Sequence, residues 1–334
     1  MGNCNIASVK IIGTGSYLPD QILTNQNLEK MVDTSDAWIL SRTGMKERRI
    51  AHANEYTSDM GLKAAEKALE SASLSSNDID LIICATLTPD YIFPSTACLI
   101  QSGLKAMKAA ALDIQAACSG YLYALSIADV YAKSGLYQHI LVISSEKLST
   151  IVNYRDRNTC VLFGDGAAAC VVSSDATRKG LKIRDVFLGS DGEQAHLLIL
   201  PAGGSRQPAT HETVDGALHF IKMDGQKTYK HAVRRMEIAC RASLERASLV
   251  EQDISWLIPH QANIRIIESL AKRFQVPMQK VCITIHKYGN TSGSSVGIAL
   301  DELIKEARVA VGDHLLLTAF GSGLTWGASV LTYE

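Results

Sequence analysis

The chain has 334 residues, 47% of them hydrophobic and 20% charged, and a formal net charge of -1. Such a chain can bury a sizeable core, and its length suits about two structural units. The near-zero charge excludes a global electrostatic reason to bind nucleic acid or an anionic membrane surface, and no apolar run approaches a membrane span.

The N-terminal "MGNCNIASVK" has no apolar signal core, and although Gly2 suits N-myristoylation, Ile6 stands where that motif needs Ser or Thr. Eight cysteines (Cys4, Cys84, Cys98, Cys118, Cys160, Cys170, Cys240 and Cys282) lie mostly in apolar stretches without C-x-x-C spacing. That usage fits reduced thiols in a cytoplasmic protein better than a disulfide frame. "GTGSYLPD" (13–20) is a turn after the first strand, too short a glycine pattern for phosphate binding.

Downstream, apolar residues recur at helical spacing in "GLKAAEKALESA" and "RRMEIACRASLERA", whereas "DLIICATL", "HILVISS", "ACVVSS" and "DHLLLTAF" are short buried-strand runs. The alternation predicts α/β layers, and strands apolar on both faces require cover on both. Residues 72–83, "ASLSSNDIDLII", share a frame with residues 247–258, "ASLVEQDISWLI". The same offset superposes "AACSGYLYAL" (116–125) on "TSGSSVGIAL" (291–300) and "HILVISS" (139–145) on "HLLLTAF" (314–320). The expectation is a duplicated chain, residues 1–178 and 179–334, with the boundary beside "DATRKG" and no flexible linker.

Three strand-to-helix turns carry the chemistry. In "LDIQAACSGYLYAL", Cys118 stands at the start of a helix, where unpaired N–H groups and the helix dipole favour a thiolate, and small neighbours let a carbonyl approach. Taken alone, this segment favours the plainer reading, a cysteine packed in the core among alanines. "DISWLIPHQANIRIIESLAKR" reads as a strand ending at Pro259, then His260, then a helix from about Asn263. "ITIHKYGNTSGSSVGIAL" reads as a strand, a turn holding Asn290 and a helix, the repeat's counterpart of the cysteine segment. Together a thiol, an imidazole and a carboxamide at the carboxyl ends of strands describe one convergent site. The glycine-rich "AFGSGLTWG" (319–327) adds backbone able to approach a ligand.

The set "AACSG", "PHQAN", "GNTS", "FGDGAAA" (163–169) and "AFGSGLTWG", with "TSDAWILSRTGMKERRIA" (34–51), resembles the β-ketoacyl-acyl carrier protein synthase III family, in order and over nearly the whole chain. The resemblance implies a thiolase-like duplicated α/β fold, layered αβαβα in two pseudo-symmetric halves. It implies a decarboxylative Claisen condensation of acetyl-CoA, or another short acyl-CoA starter, with malonyl-acyl carrier protein to give acetoacetyl-acyl carrier protein. Cys118 is then the acylated nucleophile, His260 and Asn290 stabilise the enolate, and the backbone N–H groups of Cys118 and Gly323 form the oxyanion hole. Elongating relatives use two histidines and thiolases a second cysteine, whereas Cys-His-Asn marks the priming branch and plant-type polyketide synthases.

The family's coenzyme A pocket carries over to Trp38, Arg42 and Arg157, with Thr34 and Asn263 as polar contacts and Phe163 lining the acyl and catalytic pockets. Phe93 matches another position lining these pockets, which in the family is contributed across a homodimer interface. Without the resemblance, Trp38 as a core staple and Arg42 as a solvated charge are even alternatives. Lys227, Lys230 and Arg234 fall on one helix face and Arg265, Lys272 and Arg273 on another; an acidic carrier protein suits such a rim, with Lys230, Arg265 and Lys272 as docking residues, if the two helices are adjacent. The chain departs from the family at "GSG", where three glycines are common, and at Gln226, where an asparagine is. No cofactor or metal is expected, coenzyme A thioester being a substrate. The rivals are a priming synthase with another starter for a specialised metabolite, a papain-like hydrolase, whose local cysteine signature is absent, and a non-catalytic binding module, which would be expected to lose the thiol or the imidazole.

Overall fold

Two series of strands with the same spatial order carry the fold in the computed structural model, which describes residues 8–334. Cys4 and the Gly2–Ile6 reading lie outside the described residues. In the first series, Lys10–Tyr17 pairs antiparallel with Gly166–Ser173, which pairs antiparallel with His139–Glu146; Leu81–Ala85 and Ala110–Ile114 follow in parallel. In the second, Leu181–Ser190 pairs antiparallel with Thr325–Tyr333, which pairs antiparallel with His314–Gly321, and Ile254–Pro259 follows in parallel. The series meet where Lys10 and Ile11 pair with Lys182 and Leu181, joining nine strands.

Leu81–Ala85 and Gly166–Ser173 are buried at every residue, as their unbroken apolar runs demand. Cover on one side comes from the helix Gly120–Lys133 and the helix Ser294–Lys305, which touch each other and strands of both series and so form a shared middle layer. The helix Thr57–Ala72 covers the first series from outside, and the helix Gly225–Arg246 covers the second. This is the thiolase-like αβαβα layering.

The backbone repeats as well as the order. Ser73 and Ser248, equivalent in the repeat, both take a left-handed conformation after a helix, at φ 51° and 57°. Ala117 and Ser292, also equivalent, have φ 45° and 53° at the turns into the two central helices. A left-handed non-glycine residue is sterically costly, so a matched pair at the two functional turns marks a conformation the surrounding structure imposes.

Two expected elements differ: residues 13–17, read as part of a turn, continue the strand Lys10–Tyr17, and the second difference follows Ile254–Pro259. The strand read into "ITIHKYGN" gives way to isolated parallel bridges, Val281 with Leu257 just before it and Asn290 with Phe163 at its end, and Ile285–Tyr288 is a short helix. The buried Gln261 side chain explains the break. Its Nε2 donates to the Cys282 carbonyl at 3.1 Å, and its Oε1 accepts from the N–H groups of Thr284 and Ile285 at 2.9 and 3.1 Å, taking the place of a strand ladder.

Candidate active site

Cys118 lies in the single 3₁₀ turn Ala117–Ser119 that runs into the helix Gly120–Lys133. The hairpin after His314–Gly321 clamps this turn: Ser119 Oγ donates to the Thr325 carbonyl and Thr325 Oγ1 to the Ala116 carbonyl, each at 3.0 Å. A Cβ on Gly321 would sit 2.7 Å from the Cys118 nitrogen, so glycine is required there. The thiol is only 6% exposed, and burial pushes its pKa up to about 12 despite the opposing Ser292 hydroxyl. Resting Cys118 is therefore a thiol. Desolvation thus opposes the thiolate that the helix end favours.

His260 leaves the strand Ile254–Pro259 with its N–H still donating to the Thr318 carbonyl at 2.8 Å, which fixes the ring's origin. Its Nδ1 is 2.6 Å from Ser295 Oγ, and burial without a neighbouring acid lowers its pKa to about 3, so the imidazole is neutral. Ser295 Oγ also accepts from the Gln261 N–H at 3.3 Å, so its own proton is available to Nδ1. That arrangement leaves Nε2 as the protonated nitrogen. Asn290 is held by its backbone to the Phe163 segment, its N–H donating to the Leu162 carbonyl at 2.9 Å and its carbonyl accepting from Gly164 at 3.0 Å. Its Oδ1 accepts from the Ser292 N–H at 2.8 Å, which orients the amide and leaves Nδ2 as a donor.

One cavity of about 720 Å³ brings together Cys118, His260 and Asn290 with Phe163 at its buried end and the exposed Arg42 and Arg265 at its mouth. Trp38 and Gln226 line the same cavity. The Arg157 guanidinium lies 4.6 Å from the centroid of the Trp38 ring and that of Arg42 5.9 Å, so the indole is flanked by two cations. Arg157 also pairs with Asp33 at 3.6 Å. Thr34 precedes the helix Asp36–Thr43 that carries Trp38 and Arg42, its Oγ1 buried without a partner among the described residues. Asn263 lines the cavity, but its amide is committed: Nδ2 donates to the Arg42 carbonyl at 3.0 Å and Oδ1 accepts from the Arg265 N–H at 2.9 Å, capping the helix Ile264–Arg273.

Six predicted residues, Thr34, Phe93, Arg157, Lys230, Lys272 and Gly323, are not among those lining this cavity. Phe93 is 85% exposed on a loop with the exposed Tyr91 and Ile92. Gly323 sits at the tip of the hairpin, where a Cβ would meet Thr325, and it is Gly321 whose backbone lies against the Cys118 turn. The serine within "GSG" has a visible role, since Ser322 Oγ donates to the carbonyl of Leu198, a cavity-lining residue. The two basic helices are adjacent, as an expected rim requires: Tyr229 Oη lies 3.1 Å from Ser269 Oγ. Lys230, Arg265 and Lys272 are exposed and make no ion pair among the described residues, whereas Lys227 pairs with Asp224 and Arg273 with Glu237.

Sequence reasoning missed Ser292 and Ser295, which orient Asn290 and His260 and were signalled only by the hydroxyl-rich "GNTSGSS". Among the described residues no group of three or more His, Cys, Asp and Glu side chains is placed to hold a metal, and no helix is long and apolar enough to cross a membrane.

Family models for 3-oxoacyl-[acyl-carrier-protein] synthase III match residues 112–192, and for its C-terminal part residues 244–333. The chain is 58% identical over 322 residues to β-ketoacyl-[acyl-carrier-protein] synthase III of Chlamydia trachomatis serovar D, covering 96% of this chain and 98% of the relative. The chain belongs to the β-ketoacyl-[acyl-carrier-protein] synthase III family. The crystal structure of the synthase III from Aquifex aeolicus VF5 is 50% identical, with a TM-score of 0.89, over 97% of this chain and 100% of that one. A priming β-ketosynthase from the R1128 polyketide pathway is 34% identical, with a TM-score of 0.90, over 98% of this chain and 97% of that one. The protein is thus a condensing acyltransferase of the synthase III family, which initiates fatty-acid biosynthesis.

Proposed function

We propose that the protein condenses acetyl-CoA, or a similarly short straight acyl-CoA, with malonyl-acyl carrier protein to give acetoacetyl-acyl carrier protein through an acyl-Cys118 intermediate. The observation that carries this reading is the single cavity shared by the Cys118 sulfur, the His260 ring and the Asn290 amide. Two neutral donors, His260 Nε2–H and Asn290 Nδ2–H, suit an oxyanion that develops as a malonyl thioester loses carbon dioxide, without adding fixed charge to the pocket. Attack of the resulting carbanion on a thioester held at Cys118 is effectively intramolecular.

At the mouth, Trp38 offers an adenine a stacking face, and Arg42 and Arg157 offer guanidinium groups to the base and the phosphates; Thr34 Oγ1 adds a hydrogen-bonding group still without a partner. The unpaired cations Lys230, Arg265 and Lys272 suit an acidic carrier protein. The exposed apolar Phe93 loop suits burial against a second copy of the chain, and we divide the protein into a nucleophile-bearing half, 1–178, and a half bearing His260 and Asn290, 179–334. Acetyl-, butyryl- and branched acyl-CoA, each incubated with the protein, test the reading by intact mass. Acetyl or butyryl adducts on Cys118 are expected. Labelling by branched or long acyl groups alone would replace the starter, as in a specialised pathway, and no adduct from any thioester would remove the acyl-Cys118 step.

A further inference from the structure

Arg48, in the strand Glu47–Ile50, is 0% exposed, and no acid lies among its hydrogen-bond partners. Its Nε and Nη2 both donate to the Val161 carbonyl, the first at 3.0 Å, and its Nη1 donates to Asn25 Oδ1 at 2.5 Å. Burial lowers its pKa to about 10, which leaves the guanidinium charged at neutral pH. A charge taken out of water without an acid beside it is costly to fold, and an apolar side chain would fill the same space without that cost. What sets this guanidinium apart is the pair of segments it joins.

On the inner side, Val161 precedes the stretch in which Phe163 and Asn290 form a parallel bridge. The stem of Arg48 lies against that bridge. A Cβ on Gly289 would sit 2.9 Å from Arg48 Cγ, and one on Gly164 would sit 3.2 Å from Arg48 Cβ, so the two glycines beside the bridged pair let the arginine meet bare backbone. On the outer side, Asn25 is itself 0% exposed, and its Nδ2 donates to Asp36 Oδ1 and to the Met45 carbonyl, each at 2.8 Å. Asp36 opens the helix that carries Trp38 and Arg42, and Met45 lies just past its end, so Asn25 holds that helix at both ends. The Cys118 turn has separate supports, in Ser119 and Thr325.

We propose that Arg48 is a positioning residue, which locks the helix Asp36–Thr43 at the mouth of the cavity and the Phe163–Asn290 bridge at its inner end into one frame. A thioester gripped at the mouth reaches the Asn290 amide productively only if the spacing between those two places is fixed, and small misplacements of a reacting group are expensive in rate. The fork of the guanidinium suits this task, because one planar group can donate in two directions at once. Asn263 also holds the helix, through the Arg42 carbonyl, so loss of the Arg48 tie should shift the mouth rather than release it. The inference rests on reading the mouth as the coenzyme A end of the site and Asn290 as the enolate's donor.

The test compares wild type with Arg48→Met, which removes both arms of the tie, and Asn25→Ala, which removes the outer arm alone. Three rates are followed: acetylation of Cys118 against acetyl-CoA concentration, malonyl decarboxylation at saturating malonyl-acyl carrier protein, and alkylation of Cys118 by iodoacetamide. In Arg48→Met the acetyl-CoA concentration for half-maximal acetylation should rise roughly 10-fold and decarboxylation should slow roughly 10-fold, with alkylation unchanged. In Asn25→Ala only the half-saturating concentration should rise. Deuterium exchange should quicken at residues 36–43 in both variants, at residues 161–164 and 289–290 only in Arg48→Met, and at residues 120–133 in neither. Normal acetylation and decarboxylation in Arg48→Met overturn the proposal, as does a parallel fall of all three rates, the signature of a general loss of structure. Should Arg48→Met not fold, an unchanged half-saturation in Asn25→Ala overturns it. Wild type that takes no acetyl group would count against the coenzyme A reading, and the exchange pattern would then judge the tie by itself, unchanged exchange in Arg48→Met overturning it.

Discussion

The two central turns share a backbone and differ in what they present. Ala117 and Ser292 take the same left-handed conformation, but the next residue is Cys118 in one turn and Gly293 in the other. At Gly293 a Cβ would lie 2.7 Å from Ser144 Oγ, so this turn gives up its side chain and closes against the first half. It contributes instead Asn290 before the turn, the Ser292 N–H that orients the Asn290 amide, and Ser295 in the following helix, which holds His260 Nδ1. The repeat thus sets two equivalent turns close to one another, and the proposed division into a nucleophile half and a hydrogen-bonding half rests on which side chain each presents.

The sharpest way to break that comparison is to remove one contribution at a time. Cys118→Ala should lower condensation by roughly 1,000-fold or more while leaving malonyl decarboxylation measurable. Asn290→Ala should do the reverse, retaining acylation of Cys118 seen by mass and losing roughly 100-fold in decarboxylation. Equal loss of both steps in Asn290→Ala would deny the division of labour.

Most of this arrangement is legible in the sequence because the signals are periodic or repeated. Apolar runs identify the strands buried on both faces, and the shared frame of residues 72–83 and 247–258 announces the duplication. Cys118, His260 and Asn290 stand out because each ends a strand or opens a helix, where α/β folds place ligands. What stays hidden depends on contacts between distant residues. Gln261 replacing a strand ladder leaves no trace in the periodicity of "ITIHKYGN". Burial of Cys118 cannot be read from a helix N-terminus, which is why the helix end points to a thiolate and the folded chain holds a thiol. Glu146 resembles any acid at a strand end until the hydroxyls of Thr86 and Thr88 are seen to satisfy its buried carboxyl.

A smaller effect is expected from forcing the halves to look alike. Gly293→Ala puts a Cβ against Ser144 Oγ and, at 3.1 Å, the Ala117 carbonyl. Overpacking of this kind destabilises by about 1–3 kcal/mol, which urea unfolding measures. Gly192→Ala serves as the control, since nothing lies within 4 Å of the point its methyl group would occupy and its stability should hardly change. Equal stability of the two variants would mean that the turns do not meet as closely as the contact at Gly293 requires.

The smallest effect concerns pH and sharpens the contrast between a buried thiol and a buried imidazole. Native His260 stays neutral down to about pH 3, whereas the unfolded chain protonates this ring below about 6.5. Between those values the unfolded state binds the extra proton, so stability falls as pH falls. From pH 7 to 5 this one residue should remove about 2 kcal/mol of folding free energy. Cys118 contributes no such change over that range, because its thiol keeps its proton in both states. Urea unfolding of wild type and His260→Asn at the two pH values isolates the effect, since Glu146 and the other carboxyls titrate in both proteins. The variant should lose less stability on acidification than wild type; an equal loss would mean that His260 takes up a proton in the native state and is not the dry, neutral donor described above.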